Sequence, residues 1–321
     1  MKPIYFSLLA LLILLGCKPK DGSPTGASSP PPIPSPTAEG PTLVEARKDF
    51  KTKIVRHDKN KEPLPQPPKK LFQLVRYDAP PGKLAAYLTP DPNDGKKHPA
   101  IIWITGGDCN SIGECWEEAN PKDDQSAGQY RKAGIIMMFP SLRGGNDNPG
   151  VKESFLGEVD DILAAADYLA KQKYVDPTRI YLGGHSTGGT MVLITSECTD
   201  RFRAVFSFGP ANDVAGYPPE FITFDTSNPK EGRLRSPGYW LSSIKSPTFV
   251  MEGVQGNIDS LKAMTKASTN ANVHFLPVKG ASHFSILAPV NKLIAEKILR
   301  DDGATCNLAI TEAELNKLFG R

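Results

Sequence analysis

After its first 15 residues this 321-residue sequence has no long hydrophobic run, no Cys-x-x-Cys pair and no glycine-rich nucleotide motif. A membrane-spanning helix needs about 20 consecutive apolar residues, so a polytopic membrane protein is excluded. The missing G-x-G-x-x-G and Gly-Lys-Ser/Thr patterns argue against dinucleotide and P-loop nucleotide sites. Histidine is scarce and scattered: His57, His98, His185, His274 and His283 stand singly, without zinc-ligand spacing, so no metal site is expected. Charge of one sign is lacking as well, the net charge being +3. Thr42–Arg76 carry ten basic and four acidic side chains, whereas the chain beyond Arg76 is slightly acidic and has no basic stripe with interleaved aromatics. Nucleic acid is therefore not an expected partner.

What is present begins with an address. Met1 and Lys2 precede the apolar run Ile4–Leu15, which ends in Leu14-Leu15-Gly16-Cys17. A dozen apolar residues is the length of a signal h-region. The four-residue end resembles a bacterial lipoprotein lipobox. The resemblance implies removal of residues 1–16, acylation of Cys17 and an exported protein anchored to a membrane of the bacterial cell envelope. Residues 17–41 follow with eight of the chain's 30 prolines and almost nothing to bury, a disordered Pro-rich tether. The basic segment 42–70, with Glu62-Pro63-Leu64-Pro65-Gln66-Pro67-Pro68 near its end, reads as a loosely structured arm, its charge either solvated or in contact with anionic lipid. Cys109, Cys115, Cys198 and Cys306 remain. In an exported protein they admit two bridges, Cys109 with Cys115 across a short loop and Cys198 with Cys306, or free thiols.

From residue 71 to 321 short β-rich runs alternate with helical patterns, which predicts an α/β fold: a mostly parallel sheet with helices on both faces. Leu71–Tyr77 and Leu84–Leu88, split by Ala79-Pro80-Pro81-Gly82, form an antiparallel hairpin at one edge. Buried-type strands are expected at Ala100–Thr105, Ile135–Phe139, Ile180–Gly183, Ala204–Phe208, Thr248–Met251 and Val273–Pro277. Within Ser154–Gln172 the apolar residues Phe155, Val159, Ile162, Ala166 and Leu169 make one helical stripe. Closing helices are expected at Pro289–Arg300 and Thr311–Phe319, the latter opened by a Thr311/Glu314 capping box.

The chemistry concentrates in Gly184-His185-Ser186-Thr187-Gly188, a G-x-S-x-G placed where an apolar strand ends and a helix begins. A nucleophilic serine needs that strained turn to stand clear of the sheet. The helix starting beneath it aims its first N–H groups, that of Thr187 above all, at the oxyanion formed when Ser186 attacks a carbonyl. A base should come late in the chain, past the last strand, and His283 in Lys279-Gly280-Ala281-Ser282-His283-Phe284 fits. His185 is expected to pack beside the elbow, and His274 to be structural. Pro210–Pro247, with Tyr217, Phe221, Phe224, Tyr239 and Trp240, reads as an aromatic cover over the site or as added core.

With these residues the chain resembles the catalytic α/β-hydrolase domain of the prolyl oligopeptidase family of serine peptidases, over roughly Leu71–Arg300. Further blocks carry the likeness: Pro140-Ser141-Leu142-Arg143-Gly144-Gly145, Gly157-Glu158-Val159-Asp160-Asp161, Tyr174-Val175-Asp176-Pro177, Arg201-Phe202-Arg203-Ala204, Ser236-Pro237 and Ile244-Lys245-Ser246-Pro247-Thr248. The resemblance implies a serine peptidase without metal or organic cofactor, acting on small peptides. Its acid should lie just beyond the strand Thr248–Met251. Asp259 is the expected residue, with Glu252 and Asp213 as alternatives. Two departures stand out. Some 60 residues between signal and first strand leave no room for the β-propeller of that family. Thr105-Gly106-Gly107 also lacks the tyrosine that the prototype offers the oxyanion, so the backbone N–H groups around Gly107 would serve, as in esterases. A small ester is then the alternative substrate, in the manner of a dienelactone-hydrolase-type carboxylesterase, and a non-catalytic surface-binding protein is a third reading.

Overall fold

The computed structural model describes residues 40–320. The expected signal peptide 1–16, the lipidation site Cys17 and all but the last two residues of the 17–41 tether lie outside the described residues.

The expected α/β architecture is the one observed. Eight strands, β1 (Gln73–Ala79), β2 (Gly82–Leu88), β3 (His98–Ile104), β4 (Ile136–Pro140), β5 (Val175–His185), β6 (Val205–Phe208), β7 (Thr248–Gly253) and β8 (Val273–Val278), form one sheet. Its order is β1-β2-β4-β3-β5-β6-β7-β8. The β1–β2 hairpin and the β2–β4 pair are antiparallel, and all other pairs are parallel. The central strands are apolar on both faces because both are covered. Ile102 and Ile104 turn toward helices α3 (Glu158–Ala170) and α4 (Thr187–Cys198). Ile101 and Trp103 turn toward α2 (Gly128–Lys132), α7 (Leu287–Arg300) and α8 (Glu312–Lys317). A smaller apolar cluster packs α6 (Ile258–Ala267) against β7 and β8. The Thr311/Glu314 capping box opens α8 as expected. Phe155, however, precedes α3 in a left-handed conformation, φ +78°, so the helix starts three residues after it.

The arm is not loose. Helix α1 (Leu43–Arg47) is capped by Thr42 and Glu45, and Leu43 is fully buried. Thr52 Oγ1 and the Lys53 N–H donate to the Glu231 carboxylate at 2.9 and 2.7 Å, Lys53 Nζ pairs with Asp225 at 2.8 Å, and Ile54 bridges to Phe224. Farther along, the Asn60 N–H donates to the Gly144 carbonyl at 2.7 Å, and Leu64 is buried. Spaced apolar anchors and hydrogen bonds to residues far along the chain order a segment whose prolines suggest looseness. It lies against the turn at Pro219–Phe221, where the Arg56 guanidinium donates to the Pro219 and Glu220 carbonyls, and against α5 (Pro229–Arg233), whose Lys230 ammonium sits over the Phe50 ring. Of the two readings of Cys109, Cys115, Cys198 and Cys306, the structure has the free thiols and not the bridges.

Candidate active site

Strand β5 delivers Ser186 at its carboxyl end, in a conformation (φ +58°, ψ −118°) that L-residues rarely adopt. The strain is held from outside: the Ser186 N–H donates to the Phe208 carbonyl at 2.7 Å, and its own carbonyl accepts from the Thr190 N–H at 2.9 Å. The flanking glycines allow strand and helix to close up. A Cβ on Gly188 would land on the carbonyl oxygens of Ile104 and Thr105, and one on Gly189 on that of Phe208. Thr187, the first residue of α4, has an N–H that helix geometry leaves without an intrahelical acceptor. Its hydroxyl donates to the Gly107 carbonyl at 2.8 Å, which ties the turn after β3 to the start of α4. Gly107 sits at φ +70°, as this turn requires. The two expected oxyanion residues are therefore neighbours beside Ser186.

That turn is braced by residues whose role the sequence did not disclose. Asn110 Nδ2 donates to the Arg143 carbonyl at 2.8 Å and to Glu158 Oε1 at 3.0 Å. Arg143 in turn grips Asp161 through Nε and Nη2 at 2.9 and 2.8 Å. Burial pushes the Asp161 and Glu158 carboxyls up, against the pull of Arg143. The arginine–glycine turn is thus a buried ionic brace behind Gly107; a Cβ on Gly157 would collide with the Arg143 guanidinium.

His283 lies half-buried in the loop after β8, and its Nδ1 meets Glu252 Oε2 at 2.8 Å. Glu252 is 1% exposed. Gly209 (φ +59°) makes room for this pair, since a Cβ there would lie 2.6 Å from both Glu252 Oε2 and His283 Nδ1. The expectation of Asp259 is corrected. Its side chain is 94% exposed in the first turn of α6, and its ion-pair partner is Lys262 at 3.4 Å. The reason is strand length. β7 runs to Gly253, pairing Glu252 with Pro277 of β8, so the carboxylate comes from the strand itself, and the longer glutamate side chain spans a gap that an aspartate would bridge from a loop. Asp213 is also elsewhere: it caps the turn at Val214–Gly216 and accepts from Ser236 Oγ at 3.0 Å.

His185 is buried beside the elbow, its Nε2 3.0 Å from the His283 carbonyl oxygen. Burial, then the charge of His283, holds its imidazole well below the usual histidine range. Of the aromatic cover, Phe224 and Trp240 are core. Tyr217 reaches the first turns of α4, its hydroxyl 2.7 Å from Thr190 Oγ1 and its ring 5.3 Å from that of Phe155. Among the described residues no cluster of three or more His, Cys, Asp or Glu side chains could hold a metal ion.

The fold and this site define a class, the serine hydrolases of the α/β-hydrolase fold. Comparison with known proteins finds partial likenesses. Residues 124–253 match the model of the prolyl oligopeptidase family. Prolyl oligopeptidase A of Galerina marginata is 34% identical over 77 residues, 22% of this chain and only 10% of that protein's length. Among solved structures, the acylaminoacyl peptidase of Pyrococcus horikoshii superposes with a TM-score of 0.60 at 15% identity, over 76% of this chain and 43% of that one. An esterase of Pyrobaculum calidifontis superposes with a TM-score of 0.52 at 16% identity, over 80% of this chain and 88% of that one. At these identities the structural likeness is one of fold.

Proposed function

We propose that this protein is a serine peptidase of the prolyl oligopeptidase type that cleaves small peptides through an acyl-enzyme. The observation that carries the reading is the strained Ser186 turn together with the His283–Glu252 pair at 2.8 Å. In this mechanism Ser186 Oγ attacks the acyl carbonyl and His283 takes its proton. With Nδ1 engaged by Glu252, Nε2 is the atom that receives it, and Glu252 fixes the tautomer and stabilises the imidazolium. The N–H groups of Thr187 and of the turn at Gly107 receive the oxyanion. His283 then returns the proton to the leaving amine, and water, activated by the same imidazole, releases the acyl group.

A second reading, a carboxylesterase, is favoured by Thr105 standing before Gly106-Gly107, so that backbone donors alone serve the oxyanion. Paired assays of short acyl nitrophenyl esters and aminoacyl or prolyl amides decide between the two. A fluorophosphonate probe should label the wild type and not Ser186→Ala, with thermal unfolding nearly unchanged. Labelling that persists in the mutant moves the nucleophile elsewhere, and a folded wild type that never labels supports a non-catalytic binding protein. The same proposal includes export and anchoring through Cys17. Cys17→Ala should leave the protein unacylated and outside the membrane fraction, and an unaltered mass and fractionation would refute the anchor.

A further inference from the structure

His185 carries a feature that packing alone does not require. It is 2% exposed, its Nε2 lies 3.0 Å from the backbone oxygen of His283, and its Nδ1 is buried without a partner among the described residues. A carbonyl only accepts, so Nε2 carries the proton and Nδ1 presents a bare lone pair. That lone pair lies against Gly106, where an added Cβ would come within 3.1 Å of it. The imidazole also lies beside the His283 ring, centroids 4.5 Å apart at 43°, with Phe284 at 5.5 Å from His185 and 5.1 Å from His283. A phenylalanine would fill the same space and leave no buried nitrogen unpaired. What the imidazole adds is the N–H bond to the main chain of His283.

We infer that His185 is a positioning residue for the base: its Nε2–H holds the His283 carbonyl and so sets where the His283 ring stands between Glu252 and Ser186. The inference rests on the catalytic reading above. Its physical content is a short tether. His185 is the chain neighbour of Ser186, so one residue links the backbone of the nucleophile to the loop carrying the base, across 98 positions of sequence. The same ring touches Gly106 of the oxyanion turn, so it spaces the two sides of the site. It remains neutral while His283 takes up the Ser186 proton, because burial and the neighbouring charge both disfavour a second imidazolium.

The test compares His185→Phe, which keeps a ring and loses the donor, with His185→Gln, whose amide nitrogen overlies Nε2. His185→Phe should lower kcat for a nitrophenyl ester about 10- to 100-fold with KM within about twofold, the loss expected of a base displaced by a fraction of an ångström to 1 Å. Its melting temperature should stay level or rise. His185→Gln should recover most of the lost rate. In proton NMR the far-downfield signal of the His283 Nδ1–H bonded to Glu252 should shift or broaden in His185→Phe and persist in His185→Gln. Wild-type kcat and an unmoved signal in His185→Phe would overturn the inference, as would folded His185→Gln as impaired as the phenylalanine variant. A wild type that turns over no ester counts against the proposed function, and the proton signal still decides the role of His185.

Discussion

Replacing Glu252 by glutamine removes one charge and almost no volume, so it isolates the electrostatic part of the His283 partnership. At 2.8 Å, and with an effective dielectric of about 20, a full carboxylate–imidazolium interaction is about 6 kcal/mol. Part of it is already present before proton transfer, as the Nδ1 hydrogen bond to the carboxylate. The share gained only when His283 takes up the proton is therefore smaller, roughly 4 to 5 kcal/mol, which corresponds to about 10³- to 10⁴-fold in kcat. The glutamine can also turn its NH₂ toward Nδ1 and impose the wrong tautomer, which works in the same direction. Folding should hardly notice, because a buried carboxylate is exchanged for a neutral amide of the same shape. The assay is kcat on a nitrophenyl ester, with thermal unfolding followed on the same samples, for Glu252→Gln, Asp259→Asn and Asp213→Asn. Asp259→Asn should stay within about twofold of wild type, since its side chain is 94% exposed. A hundredfold loss in Asp259→Asn, or a Glu252→Gln variant keeping a tenth of the activity, would refute the assignment.

Two further outcomes follow from packing and from titration. Gly188→Ala pushes a methyl into the backbone oxygens of Ile104 and Thr105, which no side-chain rotation can relieve, so it should cost about 3 kcal/mol or more and show as a large fall in melting temperature. Burial alone would raise the Asp301 carboxyl, but hydrogen bonds from Arg203 (2.6 and 2.7 Å) and Tyr181 (2.6 Å) outweigh it and hold the group at about 2. Because the folded value lies below the ordinary one of 3.8, the stabilisation is complete above about pH 4 and is lost as pH falls toward 2. It is on the order of 2 kcal/mol. Asp301→Asn should therefore narrow the stability gap to wild type on acidification through that window, and a gap that stays constant would disprove the linkage.

The strands were legible because a parallel sheet covered on both faces writes itself as continuous apolar runs, as in Ala100–Ile104 and Thr248–Met251. Ser186 was legible because its turn is local: the glycines that let strand and helix meet are within three residues of it. His283 needed only its place after the final strand. Glu252 could not be selected in this way. Its role depends on how far β7 continues beside β8 and on Gly209 leaving space, both properties of residues distant in sequence. The arm misled for a related reason. Its composition is that of a linker, and its order comes from Glu231, Asp225 and Phe224, which no local pattern connects to Thr52, Lys53 and Ile54. The spacing of the four cysteines admitted two bridges or free thiols and could not choose between them, because pairing depends on the distance between segments far apart in sequence; they are free thiols.

The arm's bonding has a consequence for the order in which the molecule is assembled. The Lys53 N–H and the Glu231 carboxylate it meets are 178 positions apart, and the Leu43 N–H and Ser243 Oγ are 200 apart. At synthesis rates of about 5 to 20 residues per second, the arm waits roughly 10 to 40 s for its partners to be made. Through that interval Leu43, Phe50 and Ile54 have no groove to enter, and Thr52 lacks its partners Glu231 and Arg235, which in the folded protein are ion-paired with less than 2% of either side chain exposed. The segment emerging early is thus among the late ones to find its place. A chaperone holding it during this wait would act on the step that seals the fold.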